Sequence, residues 1–379
     1  MDRGSKETET EFVLSGPDPE PGELPSPGER DLRTEFLDGS EEGIAKAAEM
    51  IRRGGLVAFP TETVYGLGAS ALDPEAAKKI YRAKGRPSDN PLIVHLADPS
   101  EAEKYADTTP LYYELAEKFM PGPLTVILPA RDTVPRTVTG GLDSVGIRVP
   151  VDQRAHLLIR LAGVPIAAPS ANISGRPSPT NALHCMNDLD GRVDAVIDGG
   201  ECAFGLESTI VKPSDCPSEG NLRRLTLLRP GAVTPEDLKS VCEDLVIDPC
   251  ITAMKKFEGK ALAPGMKYRH YAPEAPVTIV DGEDEAVTEY ILKRAQEQEE
   301  GGGCGVLCFD GDERLLKLPN ALSYGKKDDP RAQAHRLFDC LRSYRGVGRI
   351  YARMPSREGM GLAVFNRLVK AAGYEIVTL

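Results

Sequence analysis

The sequence predicts an α/β protein in which a mixed α/β domain is followed by a smaller domain with a parallel sheet. Strand-like apolar runs alternate with helix-like periodic segments along most of the chain. The length of 379 residues also exceeds the roughly 250–300 residues at which a single core stops growing. We therefore predict a tail over 1–35, a first domain over 40–242, a linker over 243–276 and a second domain over 277–379.

Composition narrows the class of protein. Lysine and arginine number 46 against 58 acidic residues, giving a net charge of −12. This balance argues against non-specific coating of nucleic acid, although it allows one local basic cleft. No apolar run approaches the ~18–20 residues of a membrane span, and the N-terminus lacks a basic segment followed by an apolar one. We expect a cytoplasmic protein that makes no membrane contact.

The cysteines and the N-terminal segment are two further informative features of the composition. The eight cysteines include no CxxC pair, so neither a disulfide framework nor a zinc site is predicted, and no other metal-ligand spacing stands out. The first 31 residues carry nine acidic and three basic side chains, five prolines and few apolar groups. Such a segment cannot bury enough surface to offset its ordering entropy, so we predict disorder over 1–35.

Helix and strand patterns follow one another through the first domain. Ile44, Ala47 and Ile51 recur with helical spacing, and Asp73 with Pro74 provides the N-cap and first turn of a short helix. The predicted strands are 56–59, 92–96, 124–128, 144–149, 164–168, 195–198, 208–211 and 225–228, and the predicted helices are 41–53, 74–83, 111–119, 153–161 and 235–242.

The second domain shows the alternation of a βαβ fold. The predicted strands are 277–280, 304–309 and 349–352, and the helices lie near 284–299, 330–344 and 358–372. Strands separated by helices of this length pair in parallel, so we expect a small parallel sheet covered by helices.

Several loops carry polar residues without matching a standard nucleotide-binding motif. Lys84 and Arg86 flank a glycine at a helix end, where cations complement the helix dipole; alone they also fit a solvated helix end. Ser170 and Ser178 lie in a loop that leaves a buried strand, where α/β sheets bind ligands, although a simple surface loop is the alternative. Phosphate binding would have to use such side chains, because no P-loop pattern is present.

Three residues lie within or beside apolar strands. Arg148 interrupts the strand GIRVP, and a buried arginine needs an anionic partner, which is either a carboxylate ligand or a structural salt bridge. His95 in the run LIVHL fits a satisfied core histidine or a functional one. Ser208 follows Glu207 at a strand entry and has no distinguishing signal of its own.

Taken in series, seven segments of the first domain resemble the YrdC-like L-threonylcarbamoyladenylate synthase family. The tail of the chain, with APGMKYRHYAP at 263–273 and REGMGLAVFNRLVKAA at 357–372, resembles the family's two-domain form. The segments are PTETVYGLG (60–68), KGRPSDNPLIVHL (84–96), PGPLT (121–125), GIRVP (146–150), APSANISGRPSPT (168–180), ESTIV (207–211) and LRPGAVT (228–234).

The resemblance implies a YrdC-like twisted open α/β catalytic domain with a large concave pocket, followed by a small Rossmann-like parallel α/β domain. It also implies a reaction. L-threonine, bicarbonate and ATP give threonylcarbamoyl-AMP and pyrophosphate, for the threonylcarbamoyladenosine modification of tRNA beside the anticodon. The expected partners are therefore these substrates, a transient tRNA threonylcarbamoyl transferase, and tRNA or double-stranded RNA. Mg²⁺ at the phosphates is the expected cofactor. The alternative function is an RNA-binding module without catalysis, against which the net charge counts. A carbamoyl-transfer domain of the hydrogenase-maturation type would need acylphosphatase and zinc-finger segments that the sequence lacks.

The resemblance also implies roles for individual residues. Lys84 and Arg86 are expected to be catalytic, and the linker residues 267–271 are expected to form a lid over the pocket. The implied L-threonine-binding residues are Thr63, His95, Arg148, Ala168 and Ser208, and the implied ATP-binding residues are Arg86, Asn90, Ser144, Ser170, Ser178, Arg229, Tyr268 and His270.

Overall fold

The computed structural model describes residues 33–216, 222–252, 263, 270–297 and 303–379. Residues 1–32 of the predicted disordered tail lie outside the described residues. Its last residue, Glu35, already begins the first strand, which pairs in parallel with a strand starting at Ala195. The tail predicted from composition therefore extends slightly too far.

Strands and helices alternate along the chain, as the sequence predicts. The strands are β1 Glu35–Leu37, β2 Val57–Phe59, β3 Gly66–Ser70, β4 Ile93–His95, β5 Leu124–Pro129, β6 Ser144–Arg148, β7 Ile166–Ala168, β8 Ala195–Ile197, β9 Thr209–Cys216, β10 Leu222–Arg229, β11 Asp244–Ile247, β12 Val277–Asp281, β13 Cys304–Cys308, β14 Ala321–Ser323, β15 Arg349–Arg353 and β16 Ile376–Thr378. The helices are α1 Glu41–Arg52, α2 Pro74–Lys84, α3 Pro110–Phe119, α4 Arg136–Thr139, α5 Gln153–Ala162, α6 Ala182–Leu189, α7 Pro235–Leu238, α8 Pro249–Thr252, α9 Asp284–Glu297, α10 Asp312–Leu316, α11 Pro330–Ser343 and α12 Gly361–Ala371.

The first domain is built on one large mixed sheet. Its strand order is β1-β8-β2-β3-β7-β4-β6-β5-β9-β10-β11. Helices α1 and α5 cover part of it through a buried apolar cluster that includes Ile44, Ile51, Phe59 and Leu158. The helical spacing in the sequence thus identified the buried face of α1. The helix caps are also as predicted for α2, since the Asp73 side chain accepts from the backbone N–H groups at its start.

Strand β3 was not predicted, and its composition explains why. The sequence GLGAS contains neither β-branched nor aromatic residues, which are the usual strand formers. Its glycines are needed for close packing, since a Cβ on Gly68 would lie 2.7 Å from the side chain of Ile166 and 2.8 Å from Phe59. Tertiary packing therefore makes a strand where local preference gives no signal.

The segment predicted as a linker begins with a strand. Asp244–Ile247 forms β11, which pairs in parallel with β10 at the edge of the large sheet. The first residues of the predicted linker are thus part of the first domain's sheet, which sequence reasoning missed because DLVI offers only four residues beside prolines and charges.

The second domain has the predicted parallel sheet. All four pairings are parallel, and the strand order is β14-β13-β15-β12-β16. Short strands β14 and β16 at the edges were not predicted from the sequence. Helices α11 and α12 pack against each other beside this sheet, and α12 is buried along nearly its whole length.

The two domains contact each other through charged and aromatic side chains. Arg342 on α11 pairs with Asp188 on α6, whose side chain is almost fully buried. His184 on α6 lies 3.3 Å from Asp339 on α11. Among the described residues, no helix is long and apolar enough to cross a membrane.

Candidate functional site

A cavity that many polar side chains line lies between the strand ends of the large sheet and the end of the linker, and its empty space, including the part open to solvent, is about 700 Å³. Most of the residues proposed from the sequence line it. They are Thr63, Lys84, Arg86, His95, Arg148, Ala168, Ser170, Ser178, Ser208, Arg229 and His270. Residues from distant parts of the chain therefore converge on one space, and their roles as ligand contacts remain predictions.

Strand register brings part of this set together. His95 on β4 lies opposite Arg148 on β6, and Arg148 lies opposite Thr125 on β5. Ala168 on β7 pairs with Ile93 on the other side of β4. Strands β4 and β6 run parallel, so His95 and Arg148, their last residues, lie at the same edge of the sheet. Strands β5 and β7 are antiparallel to these neighbours, so the start of β5 lies beside Arg148 and the end of β7 lies beside the start of β4. His95, Arg148 and Ala168 all line the cavity.

Arg148 has an internal partner and a spare donor. Its Nη2 donates to Glu62 Oε1 over 2.6 Å, and both side chains are buried. The structural salt bridge that the sequence left open is therefore present. Within the part of the chain that the structure describes, the buried Arg148 Nε has no hydrogen-bond partner. An orphaned guanidinium donor on a cavity wall is suited to a carboxylate ligand.

Thr63 and His95 lie near Arg148. Thr61 Oγ1 donates to the Val64 carbonyl at 2.6 Å and contacts Thr63 Oγ1 at 2.8 Å. The Thr63 hydroxyl therefore donates to Thr61 and keeps an acceptor for a ligand. Burial, aided by Arg148, lowers the pKa of His95 to about 3. The histidine is neutral, and Nδ1 donates to the Ile93 carbonyl at 3.0 Å.

Ser208 is held by residues from two other strands. Its hydroxyl lies 2.8 Å from Thr125 Oγ1 and accepts from Arg229 Nη2 at 3.1 Å. Arg229 Nε also donates to the Ser208 carbonyl at 2.9 Å. Burial lowers the pKa of Arg229 to about 10, although Glu207 opposes this effect. Arg229 remains cationic at neutral pH and fixes the Ser208 backbone.

Lys84 forms hydrogen bonds with other residues of the protein. Its Nζ donates to the carbonyls of Ser170 and Asn172, and the residue is almost completely buried. Burial, with a further contribution from Arg86, lowers its pKa well below the usual value. The ammonium therefore fixes the loop that carries Ser170, whose hydroxyl donates to Asn172 Oδ1 at 2.5 Å.

Arg86, Asn90 and Ser144 occupy different positions relative to the cavity. Arg86 lines it, and its guanidinium donates to the carbonyls of Asn90 at 3.2 Å and Pro91 at 3.0 Å. Asn90 does not line the cavity, and its backbone carbonyl makes the contact with Arg86. Ser144 begins β6 at the end opposite Arg148 and also lies off the wall.

Ser178 and Glu207 form a second buried group. Ser178 Oγ donates to Glu207 Oε1 at 2.5 Å, and Arg367 from α12 donates to Glu207 Oε2 at 2.8 Å. Burial alone would raise the pKa of Glu207, but Arg367 and Arg229 overcome it and hold the pKa at about 2. Glu207 is therefore an anion that joins the two domains.

The end of the linker reaches the cavity. His270 and Tyr271 line it, and Tyr271 stacks on Phe338 of α11 with 5.1 Å between ring centroids. Burial and the nearby Arg86 lower the pKa of His270 to about 3, and its buried Nε2 has no hydrogen-bond partner among the described residues. Tyr268, proposed as a nucleotide contact, lies outside the described residues, as does the rest of the lid before residue 270.

A protein-only metal site is not visible in the described ranges, where no group of three or more His, Cys, Asp or Glu side chains is placed to hold an ion. Glu207 is the carboxylate on the cavity wall, and Arg367 already neutralises it. These residues do not fit a cage for Mg²⁺, so any such ion would be held mainly by substrate phosphates.

Three charged residues of the site were not assigned from the sequence. Glu62 and Glu207 were quoted only within longer motifs, and Arg367 lay within the C-terminal motif. The available signal was the same as for Arg148, because Arg367 interrupts an apolar run, LAVFNRLV, and a buried arginine needs an anion. Glu207 and Arg367 are 160 residues apart in the chain, so no local pattern reveals that they pair.

The fold and the site define a two-domain α/β protein with a buried, cation-rich cavity that can take a small carboxylate beside an anionic group. A family model described as "Telomere recombination" matches residues 49–231, and one described as "Threonylcarbamoyl-AMP synthase, C-terminal domain" matches residues 233–373. Threonylcarbamoyl-AMP synthase of Pyrococcus abyssi is 46% identical over 338 residues, covering 87% of this chain and 94% of the relative. The chain belongs to the threonylcarbamoyl-AMP synthase family, which confirms the resemblance seen in its motifs.

Other relatives agree with this assignment. Threonylcarbamoyl-AMP synthase of Bacillus subtilis is 43% identical over 350 residues, covering 91% of this chain and 97% of the relative. The crystal structure of P. abyssi Sua5 complexed with L-threonine superposes with a TM-score of 0.84 at 43% identity, covering 91% of this chain and all of that one. The fold class predicted from the sequence, a YrdC-like domain followed by a parallel α/β domain, is thereby confirmed.

Proposed function

We propose that this protein is an L-threonylcarbamoyladenylate synthase. It converts L-threonine, bicarbonate and ATP into threonylcarbamoyl-AMP and pyrophosphate, which supplies the threonylcarbamoyladenosine modification of tRNA beside the anticodon. The observation that carries the proposal is the buried Arg148 Nε, an unpaired donor in the same cavity as Arg86 and Arg229. One cavity thus offers a carboxylate contact and two cations for phosphates.

The amino acid subsite is formed by the polar residues around Arg148. Its Nε donates to the threonine carboxylate, while Thr63 and Ser208 provide hydroxyls for the polar groups of the ligand. Ala168 contributes backbone, and His95 stays neutral, so it adds no second positive charge beside Arg148. This division keeps the reacting amino group free to point toward the nucleotide.

The nucleotide subsite is the opposite side of the cavity. Arg86 and Arg229 face the phosphates, and Ser170, Ser178 and His270 lie around them. Lys84 acts through the Ser170 loop that it fixes. Asn90 acts through its contact with Arg86. Ser144 and Tyr268 stay predictions from the resemblance, and His270→Ala with unchanged ATP affinity would contradict a lid at this end of the linker.

The chemistry proceeds in two steps. The amino group of threonine combines with bicarbonate and loses water, giving a carbamate anion. One carbamate oxygen then attacks the α-phosphorus of ATP, the bond to the bridging oxygen of the β-phosphate breaks, and pyrophosphate leaves. The carbamate is already an anion, so no general base is required for the second step. The buried cavity slows hydrolysis by excluding water and holds the carbamate against the phosphate.

Negative charge collects on the phosphate oxygens during this displacement. Arg86 and Arg229 are cations placed where such charge is stabilised. Mg²⁺ would arrive with the nucleotide, and chelation with EDTA should stop turnover if it is required. A cytoplasmic location, a transient transferase partner and contact with tRNA or double-stranded RNA remain predictions from the resemblance.

The direct test is pyrophosphate release. Protein incubated with ATP and bicarbonate should release pyrophosphate only when L-threonine is added. No threonine-dependent release would contradict the proposed function. The RNA-binding alternative predicts that outcome together with RNA affinity, so the same preparation separates the two functions.

A further inference from the structure

Arg367 extends from the second domain to Glu207, a residue of the cavity wall. It belongs to α12, and its side chain is completely buried. Its Nε donates to Glu207 Oε2 at 2.8 Å, and its Nη1 donates to the Pro230 carbonyl at 2.8 Å. One guanidinium of the second domain therefore holds two separate segments of the first domain.

Both segments carry residues of the nucleotide subsite. Glu207 accepts from Ser178 at 2.5 Å and precedes Ser208 in the chain. Pro230 follows Arg229, which donates to the carbonyl and hydroxyl of Ser208. The two segments are in tight contact, because a Cβ on Gly231 would lie 2.5 Å from the Thr209 nitrogen. A shift in either segment would therefore displace the other.

We propose that Arg367 is a positioning residue for the nucleotide subsite, acting through Glu207 on Ser178 and through Pro230 on Arg229. This inference rests on the proposed function, since it assigns part of that same site. Arg367 is not placed on the cavity wall, so it positions residues that contact substrate. The second domain thereby supports the ATP side of the cavity and, through Arg229, the Ser208 hydroxyl of the threonine side. The contact to the threonine carboxylate depends on Arg148 and Glu62 of the first domain.

The test measures the two substrates separately in the full-length protein. Arg367→Met should raise the KM for ATP or lower kcat by about tenfold or more, while the KM for threonine, whose carboxylate contact is Arg148, should rise by a clearly smaller factor. Arg367→Lys keeps the charge but not the forked geometry, so it should recover part of the loss. A matched control is Arg331→Met, which removes an exposed arginine of the same domain that lies over Phe204 of the first domain.

A double variant keeps the test decisive if Arg367→Met folds poorly. Glu207→Gln removes the carboxylate that Arg367→Met would leave buried without its cation. Because Arg367 also holds Pro230, the double variant should have a higher KM for ATP than Glu207→Gln alone, but the increase should be smaller than the product of the two single effects, which is what independent effects would give. Fully multiplicative effects would overturn the inference.

The remaining outcomes separate this inference from the proposed function. Wild-type protein without threonine-dependent pyrophosphate release would overturn the proposed function. An active wild type with unchanged KM for ATP and kcat in Arg367→Met would overturn the inference alone. Equal losses for ATP and threonine, matched by Arg331→Met, would also overturn it, because they would indicate general loosening of the domain contact.

Discussion

Arg148 donates to Glu62 across 2.6 Å in a pair whose side chains are 6% and 4% exposed. The pair neutralises a buried charge and fixes the plane of the guanidinium, while Nε is left without a partner. A buried donor of this kind costs stability unless a ligand satisfies it. The salt bridge and the ligand contact are therefore complementary uses of one arginine.

Arg148→Lys should weaken threonine binding. A lysine carries all its N–H donors on one nitrogen, whereas arginine spreads them over a rigid planar group. The ammonium therefore cannot pair with Glu62 and also occupy the position of Nε. Losing a charge-assisted hydrogen bond costs about 1.5–3 kcal/mol, which corresponds to roughly a tenfold to hundredfold higher Kd for threonine. Titration calorimetry with threonine measures this directly. Arg160→Lys, at an exposed position on α5, is the matched control, and unchanged threonine affinity in Arg148→Lys would contradict the assignment.

Lys84→Met should reduce stability and ATP affinity together. The substitution leaves the carbonyls of Ser170 and Asn172 buried without their donor, at about 1–3 kcal/mol for each group. Lys78→Met on the same helix removes an exposed lysine paired with Glu75, so it should change the melting temperature little. Melting curves and titration with a non-hydrolysable ATP analogue test both expectations. Normal stability with lost turnover would instead favour direct contact between Lys84 and the phosphates.

The buried histidines predict a pH dependence of stability. Burial lowers the folded pKa of His95 and His270 to about 3, so the unfolded chain binds protons that the folded chain does not as pH falls below about 6.5. Stability is complete above pH 6.5 and falls by about 1.4 kcal/mol per pH unit for each histidine below it. His95→Asn should reduce the change of unfolding free energy with pH between about pH 6 and pH 5. Urea unfolding curves recorded at about these two pH values measure it. An unchanged slope would contradict a neutral, buried His95.

Much of this site was predictable because charge in an apolar run is a strong local signal. Arg148 within GIRVP was identified in this way, and its buried partner was correctly expected to be an anion. Arg367 gives the same signal within α12, but its partner Glu207 lies in another domain. Sequence alone predicts that such an arginine is paired and leaves the partner open.

Other parts of the fold depend on packing that has no local pattern. Strand β3 exists because Gly68 allows Phe59 and Ile166 to approach closely, although GLGAS has weak strand preference. The resemblance implied that Ser144 binds ATP, yet Ser144 begins β6 at the end opposite Arg148 and does not line the cavity. Strand order, which brings β4, β6 and β7 side by side, is set by long-range pairing and is not encoded in any one segment.

The central claim is that this cavity joins threonine, bicarbonate and ATP. The most direct measurement incubates the full-length protein with ATP, ¹³C-labelled bicarbonate and L-threonine, and then detects the adenylate by mass spectrometry. We predict threonylcarbamoyl-AMP carrying the label, in amounts equal to the pyrophosphate released, and loss of both in Arg86→Ala. Pyrophosphate without the labelled adenylate, or neither product in the wild type, would contradict the account.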